Sequence, residues 1–241
     1  MKRLNWNNIR LLLMLIAIVF LYAFGLERNK KRLVSEPEIE FLGDSRLFIT
    51  EETVNKLLIE KIGQDQTVVK DELILKALEN VLINNQTVEE AEVFVTTDGK
   101  LKAEVKQKTP VARVFENSRS FYVDYQGTEM PVSDNFSARV PLVSGRFSDE
   151  NKTELTRLFR YIYDDEFLKK NIISIEVKDD KDIIMKNRNY NYNIVFGKSE
   201  DMERKFSNYK AFFQKASQDS LIEKYSRINL KFTKQVVCTK K

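Results

Sequence analysis

Histidine is absent from this sequence of 241 residues, and cysteine occurs only once, at position 238. Without histidine the chain lacks the most common general base at neutral pH and the most common metal ligand. A single cysteine can form neither an internal disulfide, nor a zinc site of several cysteines, nor a Cys–His catalytic pair. The seven glycines form no glycine-rich phosphate loop. We therefore expect a protein that is not an enzyme and that holds no metal or other cofactor.

The net charge of +4 comes from the N-terminal region alone. Residues 1–32 carry seven basic side chains and one acidic side chain, whereas the other 209 residues carry 33 basic and 35 acidic ones. A nucleic-acid-binding protein needs a concentrated basic face. The nearly neutral body of the chain therefore argues against a nucleic acid partner.

An apolar run of sixteen uncharged residues spans positions 11–26. As a helix it extends roughly 24 Å at about 1.5 Å per residue, slightly less than the roughly 30 Å of a bilayer's hydrocarbon core. Including Ile9 and a snorkelling Arg10 predicts a single transmembrane helix over residues 9–26. The charged residues 27–37 that follow have no periodicity, and we interpret them as a linker.

A cleaved signal peptide is the alternative for this segment. Lys2 and Arg3 precede the run, and Ala23-Phe24-Gly25 fits a small-x-small cleavage site. The run is slightly longer than the usual signal-peptide core of about 7–15 residues, which favours an uncleaved anchor. Basic residues flank the run on both sides in nearly equal number, so charge alone leaves the orientation open.

Apolar periodicity over residues 38–110 predicts a domain with the order strand, helix, helix, strand, strand. Alternation marks a strand around Ile39–Phe41, and Thr50 and Asp71 are placed to cap the two helices. A turn at Thr97-Asp98-Gly99 joins the last two strands. Two helices on one face of a three-stranded sheet would bury both apolar stripes.

Residues 111–241 predict a second, strand-rich domain with two flanking helices, so the fold class is α+β. The helices should follow Ser148 and Ser199. Alternating apolar residues predict strands at 121–125, 173–177, 183–186 and 190–196, and a C-terminal hairpin over 227–240.

Polar clusters in this second domain are better explained as structure than as sites. Asp179-Asp180-Lys181-Asp182 lacks the spacing of a calcium loop and is interpreted as a charged turn. Asp164-Asp165-Glu166 is interpreted as a solvated helix end. The tyrosines within residues 187–193 could stack single-stranded nucleic acid, but their alternation favours the core. Cys238 is interpreted as a strand residue rather than a reactive thiol.

The C-terminal hairpin would leave its last strand at the edge of a sheet. Such an edge has open main-chain donors and acceptors, to which a partner peptide can add as a further strand. Lys234, Lys240 and Lys241 could instead guard the edge against such pairing. The sequence leaves both interpretations open.

Four short stretches follow one another in a fixed order. Residues 105–112 read VKQKTPVA, 121–127 read FYVDYQG, 141–145 read PLVSG and 228–232 read INLKF. In order and spacing these stretches resemble motifs of the FtsQ/DivIB family of bacterial cell-division proteins, in a diverged form. Gln107 and Lys108 stand where the family usually has Glu and Arg.

The resemblance implies a membrane-anchored division protein. The first domain is similar to the POTRA domain of that family, which is associated with recruitment of the protein to the division site. Residues 1–8 would lie in the cytoplasm, the helix in the inner membrane and the body in the periplasm. The implied function is a non-enzymatic scaffold of the divisome during septum formation.

The resemblance also implies how partners bind. Family members bind the coiled-coil division proteins FtsB and FtsL by strand addition to their last strands. Lys240 stands where many members have Trp. A Val237→Pro variant is predicted to lose one ladder donor and partner binding while the fold stays mostly intact. Carried over by position, the contacting residues are Lys231, Phe232, Lys234, Gln235, Val236, Val237, Cys238, Thr239 and Lys240.

Two other functions remain as alternatives. POTRA domains also act as chaperone-like modules that handle unfolded envelope proteins. An enzyme that uses only carboxylates, such as a glycosidase, would need two acidic side chains converging in one cleft.

Overall fold

The protein is a mixed α+β protein, as the sequence predicts. The computed structural model describes residues 6–30, 37–43, 48–62, 72–116 and 118–241. The chain divides into two compact units, Met1–Gln107 and Lys108–Lys241. Each unit has its own hydrophobic core and its own sheet.

The N-terminal helix α1 runs from Trp6 to Lys30 and so contains the apolar segment 9–26. The side chains of residues 11–25 are all exposed. Within the described ranges, no helix has the length and apolar character needed to cross a membrane. Residues 1–5 and residues 31–36 of the expected linker lie outside the described part of the chain.

The rest of the first unit is a three-stranded sheet with two helices. In the sheet, β3 lies between β1, to which it is parallel, and β2, to which it is antiparallel. This gives the strand, helix, helix, strand, strand order that the periodicity predicts. The elements are β1 (Glu38–Leu42), α2 (Glu51–Ile62), α3 (Glu72–Ile83), β2 (Val88–Val95) and β3 (Leu101–Gln107).

Local polar contacts set where these elements begin and end. The Thr50 Oγ1 atom accepts the main-chain N–H of Thr53 at 3.2 Å, which is an N-cap of α2 as expected. Asp71, the expected cap of α3, lies outside the described residues. At the end of β3, the side-chain oxygen of Gln107 accepts the N–H groups of Phe48 and Ile49 at 2.7 and 3.2 Å. Gln107 thus ties this strand to the segment that precedes α2.

The second unit contains one sheet of nine strands, in the order β12-β11-β10-β9-β8-β7-β4-β5-β6. Its helices α4 and α6 contribute many of the large buried side chains of the core, including Phe159, Phe206 and Tyr209. The strands are β4 (Pro110–Glu116), β5 (Arg119–Asp124), β6 (Glu129–Pro131), β7 (Leu142–Gly145), β8 (Ile172–Val177), β9 (Ile183–Asn187), β10 (Asn193–Gly197), β11 (Tyr225–Asn229) and β12 (Val237–Lys240). The helices are α4 (Lys152–Asp164), α5 (Glu166–Asn171) and α6 (Met202–Gln218).

The boundary between the units lies before residue 108, three residues earlier than the sequence indicates. Pro110 begins β4 instead of ending the first unit. The main-chain N–H of Tyr125 donates to the Thr109 carbonyl at 2.7 Å, and Lys108 Nζ lies 3.6 Å from an Asp124 carboxylate oxygen. These contacts bind residues 108–110 to the second unit.

A third helix, α5, is present where the sequence indicated a solvated helix end. Asp165 has an extended backbone that ends α4, and its side chain accepts the Leu168 N–H at 3.0 Å. The same carboxylate forms an ion pair with Lys210 of α6. The expectation of two helices was wrong because Asp165 is an N-cap, which starts a new helix at once.

Strand β10 begins at Asn193, three residues later than expected. The side-chain oxygen of Asn187 accepts the main-chain N–H groups of Asn189 and Tyr190 at 2.8 and 3.1 Å, which turns the chain out of the strand. Tyr192 is nonetheless buried, and its hydroxyl lies 2.9 Å from the hydroxyl of Tyr209. The interpretation of Tyr192 as a core residue is confirmed.

Gly145 ends the PLVSG stretch with a backbone that only glycine adopts readily. Its φ is +97°, and a Cβ atom added there would lie 2.0 Å from the carbonyl oxygen of Val177. Strands β7 and β8 are parallel neighbours at this point, with Gly145 opposite Val177. The glycine is therefore needed for the close approach of two central strands.

Candidate interaction site at the edge of the large sheet

Strand β12 is the terminal strand of the nine-stranded sheet. It pairs antiparallel with β11, and β11 pairs in parallel with β10. The antiparallel register places Ile228 opposite Cys238 and Asn229 opposite Val237. Among the described residues β12 has a neighbouring strand on one side only, so half of its main-chain polar groups are directed away from the sheet.

Two hydrogen bonds show which main-chain groups of β12 are directed away from the sheet. The Leu230 N–H donates to Val195 of β10 at 2.9 Å, so the N–H and C=O of Asn229 are directed towards β12. The Lys241 N–H donates to the Lys224 carbonyl at 2.9 Å at the other end of the hairpin. Because main-chain directions alternate along a strand, Val237 and Thr239 bond to β11. The N–H groups of Cys238 and Lys240 therefore lie on the open edge.

The structure separates the residues named from the sequence into two groups. Val237–Lys240 form β12, and Gln235 and Val236 come directly before it. Lys231, Phe232 and Lys234 lie in the connection between β11 and β12. Val237–Lys240 lie on the strand with the open edge, and the other five named residues lie in the connection that precedes it.

The expected strand over residues 228–232 ends at Asn229 instead. The Asn229 side-chain oxygen accepts the Lys231 N–H at 3.0 Å, which is an Asx turn that competes with strand extension. Phe232 lies beyond this turn with 52% of its surface exposed. It is an exposed apolar side chain on the connection, close in sequence to β12.

Lysines line this end of the unit, but they are not equivalent. Lys231 forms an ion pair with Asp182, and its aliphatic stem lies across Gly197. Lys234 and Lys240 are exposed. Lys231 therefore holds the connection against the sheet, whereas the other two present positive charge beside the edge.

Asn208 on α6 positions this connection, a role that no local sequence pattern indicates. Its side-chain amide donates to the Thr233 carbonyl at 2.9 Å. A single asparagine on an otherwise amphipathic helix has no local pattern that indicates a distant acceptor. The hydrogen bond fixes the start of the segment that leads into β12.

The Cys238 side chain is half-buried and packs against the core of the unit. Burial raises the pKa of its thiol, so less of it is thiolate at neutral pH. This supports its interpretation as a strand residue. The thiol nevertheless lies on the strand whose main chain is open, which makes it a native probe of that edge.

The acidic stretch at residues 179–182 forms a turn between β8 and β9. The Asp182 N–H donates to a carboxylate oxygen of Asp180 at 3.1 Å, and Lys181 has a φ of +64°. In the described part of the chain, no three His, Cys, Asp or Glu side chains come together as a possible metal site.

The comparisons with known proteins identify the family. Residues 109–239 match the family described as FtsQ/DivIB, C-terminal related. The match covers more than half of the chain, and the protein belongs to this family. The FtsQ/DivIB family is a family of non-enzymatic division proteins, which supports a role in cell division.

One solved structure that the comparison matched is the major extracytoplasmic domain of the trans isomer of the bacterial cell division protein DivIB from Geobacillus stearothermophilus. The two share 17% sequence identity with a TM-score of 0.33, over 47% of this chain and 95% of that chain. A search of curated proteins found no match.

Proposed function

We propose that the protein is a non-enzymatic scaffold of the bacterial division machinery, which binds an extended segment of an FtsB- or FtsL-like partner along β12. The observation that carries this proposal is the open edge of β12, where no strand in the described part of the chain pairs with the N–H groups of Cys238 and Lys240. A peptide that pairs with them would extend the nine-stranded sheet by one strand. Membership in the FtsQ/DivIB family supports this role.

The short length of β12 and the lysines beside it favour pairing with one specific partner over pairing with any extended peptide. Natural edge strands are usually short and flanked by lysine, which discourages aggregation. The strand has four residues, and Lys234 and Lys240 are exposed beside it. A partner with acidic residues near its pairing segment would overcome this protection by charge complementarity.

Anchoring by α1 is a second part of the proposal. We place residues 1–8 in the cytoplasm, residues 9–26 of α1 in the inner membrane and the remaining chain in the periplasm. Support comes from the exposed apolar side chains of residues 11–25, since soluble proteins rarely expose a continuous apolar surface of this size. A periplasm-dependent reporter fused after Lys241 should be active, and a cytoplasm-dependent reporter should be inactive.

The three-stranded sheet of the first unit would act as a POTRA-like domain that recruits further divisome components. The support is its strand order, with β3 between a parallel and an antiparallel neighbour and two helices packed on it. Chaperone-like handling of unfolded envelope proteins is the competing function for such a domain. It predicts envelope defects with normal division when the protein is depleted.

Depletion followed by complementation tests the proposed function. Cells that lose the protein should form filaments, and the wild-type chain should restore division. A Lys240→Pro variant should fail to restore it, because proline removes one open donor of β12. A Lys240→Ala variant, which keeps the donor, is the matched control and should restore division. Normal division after depletion would contradict the proposal.

A further inference from the structure

The two faces of the nine-stranded sheet differ in their burial. On one face, a row of residues that pair from strand to strand packs in the core, and each has 1% or less of its surface exposed. The row consists of Val114, Val143, Ile175, Met185, Ile194 and Ile228. Because successive side chains of a strand point to opposite faces, the residues next to these in sequence lie on the second face.

The second face is basic. Its row beside the core row carries three cationic side chains and no acidic one, and none of its residues is buried. The row consists of Arg113, Leu142, Ser174, Lys186, Asn193 and Arg227. Glu176, two residues further along β8, forms an ion pair with Lys178. Charge on this face therefore favours an acidic partner.

The guanidinium group of Arg113 is held in one orientation. Its Nε–H donates to the Ser120 hydroxyl at 2.9 Å, and its central carbon lies 5.1 and 5.7 Å from the ring centroids of Phe115 and Tyr122. Tyr122 is buried, and its hydroxyl accepts the Ala138 N–H at 3.1 Å. Within the described residues, no acceptor bonds to the two Nη groups of Arg113. A fixed planar guanidinium with two such groups matches the geometry of a carboxylate.

Exposed apolar surface lies next to this guanidinium. Phe115 is two residues along β4 from Arg113, and Leu142 is directly opposite Arg113 on β7. Phe115 and Leu142 have 44% and 47% of their surfaces exposed. Single exposed apolar residues are common, but an arginine together with aromatic side chains is typical of the residues that dominate binding at protein interfaces.

We propose that Arg113, Phe115 and Leu142 form a docking site, the Arg113 patch, for a partner protein segment in which Asp or Glu lies next to an aromatic or large aliphatic residue. The carboxylate would accept hydrogen bonds from both Nη groups of Arg113, and the apolar side chain would cover Phe115 and Leu142.

The Arg113 patch is distinct from the edge of β12. Five strands separate β4 from β12, which at about 4.8 Å per strand places the two sites about 29 Å apart across the sheet. The inference therefore goes beyond the proposed function and does not rest on it.

A protein segment suits this face better than an anionic lipid surface. Lipid-binding surfaces usually cluster about four to eight lysines or arginines. Here three cations are spread over about 24 Å, from Arg113 on β4 to Arg227 on β11. One fixed arginine beside apolar side chains indicates a single carboxylate instead.

Random peptides provide a probe of the patch. Peptides of about ten residues would be displayed and selected on the full chain in detergent. Clones that bind Lys240→Pro as well as the wild type would be kept, which sets aside peptides that add to β12. One kept peptide would be synthesised, and its affinity would be measured for the wild type, Arg113→Met and Lys186→Met. Lys186→Met is the matched control, because it removes the same charge from the same row.

The kept peptide should contain Asp or Glu next to an aromatic or large aliphatic residue. Arg113→Met should weaken its binding at least about ten-fold, which corresponds to about 1.4 kcal/mol. Arg113→Lys keeps the charge but lacks the planar fork, so it should recover only part of the affinity. Lys186→Met should bind with an affinity close to that of the wild type.

A change in the peptide identifies the two groups that interact. Replacing its acidic residue by the corresponding amide should weaken binding to the wild type about ten-fold and should have little further effect on Arg113→Met, which has already lost the interaction. Leu142→Asp leaves Arg113 in place but puts a carboxylate beside it, and should also weaken binding. Circular dichroism confirms that each variant is folded.

Three results would overturn the inference. Equal losses in Arg113→Met and Lys186→Met would show that binding depends on net charge alone. Kept peptides without an acidic residue, or no kept peptide at all, would show that the patch does not select such a segment. A dimer of the full chain in analytical ultracentrifugation that Arg113→Met dissociates would show that a second copy covers the patch.

Discussion

The main-chain N–H of Lys241 donates to the carbonyl oxygen of Lys224 at 2.9 Å and closes the end of the C-terminal hairpin. Together with the bond from Leu230 to Val195, it places the main-chain N–H groups of Val237 and Thr239 towards β11. Val237→Pro therefore removes a ladder donor of the hairpin itself, which argues against the expectation of a mostly intact fold in this variant. That substitution would break a bond inside the hairpin, and a loss of partner binding would then be due to local unfolding.

Two proline variants on adjacent residues should differ sharply in stability. Thr239→Pro removes a donor directed to β11 and should lower the free energy of unfolding by about 1–3 kcal/mol. Lys240→Pro removes a donor on the open edge and should leave stability within about 0.5 kcal/mol of the wild type. Chemical denaturation of the second unit, followed by circular dichroism, measures both. Equal losses for the two variants would show that the assigned directions are incorrect.

The single cysteine should react slowly in the folded protein. Burial raises the pKa of the Cys238 thiol, so the thiolate fraction at pH 8 is below that of a free cysteine. The rate of reaction with Ellman's reagent should rise several-fold when the protein is unfolded in guanidinium chloride. Equal rates for the folded and unfolded chain would contradict the packing of Cys238. A bound partner strand should slow the reaction of the folded protein further.

Asp165 should stabilise the second unit both as the N-cap of α5 and through its ion pair with Lys210. Burial alone would raise the pKa of its carboxyl, but the hydrogen bond from Lys210 and the N–H groups of Leu168 and Phe167 outweigh this and lower it. Asp165→Asn keeps an acceptor for the Leu168 N–H but loses the charge. Asp165→Ala loses both and should be less stable than Asp165→Asn by about 1 kcal/mol.

The sign of the pH dependence follows from this lowered pKa. A carboxyl whose pKa is lower in the folded state contributes its full stabilisation above its unfolded value of about 4, and loses it as the pH falls through the folded value. The stability difference between the wild type and Asp165→Asn should therefore be largest near neutral pH and should shrink below pH 4. A difference that grows on acidification would contradict the ion pair with Lys210.

A row of three glutamates crosses the sheet of the first unit. Glu104 lies opposite Glu40 on one side and opposite Glu92 on the other. Lys102 bonds to Glu40 and Glu104 at 2.5 and 3.3 Å, and these bonds raise its pKa. Like charges on adjacent strands repel, so Glu92→Lys should raise the melting temperature by a few degrees at low salt.

Salt and a neutral variant provide the controls for this substitution. The gain from Glu92→Lys should shrink in about 1 M NaCl, where charges are screened within about 3 Å. Glu92→Gln should give a smaller gain because it removes the repulsion without adding an attraction. A melting temperature that falls in Glu92→Lys would show that Glu92 has a favourable partner.

Sequence periodicity is sufficient to predict the order of the elements in the first unit and most strands in the second. It fails where one polar side chain redirects the main chain. Asp165, Asn187 and Asn229 each accept main-chain N–H groups nearby, and each moves the end of an element by a few residues or starts a new one. Such side chains occur often in strands and helices without this effect, so local sequence does not distinguish them.

The candidate site, too, can be predicted from the sequence only in part. The predicted hairpin and its lysines indicate an edge strand, and the residues of β12 lie within that predicted hairpin. The direction of each main-chain group depends on the pairing of β10, β11 and β12. This pairing is a long-range relationship that a single sequence does not contain.

Binding of the partner to the open edge tests the account most directly. The full chain, purified in detergent, would be titrated with the FtsB-like division protein of the same cell, and the affinity would be measured by calorimetry. Lys240→Pro is expected to weaken binding at least about ten-fold, whereas Lys240→Ala should bind with an affinity close to that of the wild type. Equal affinity of all three chains, with folding confirmed, would contradict strand addition at β12.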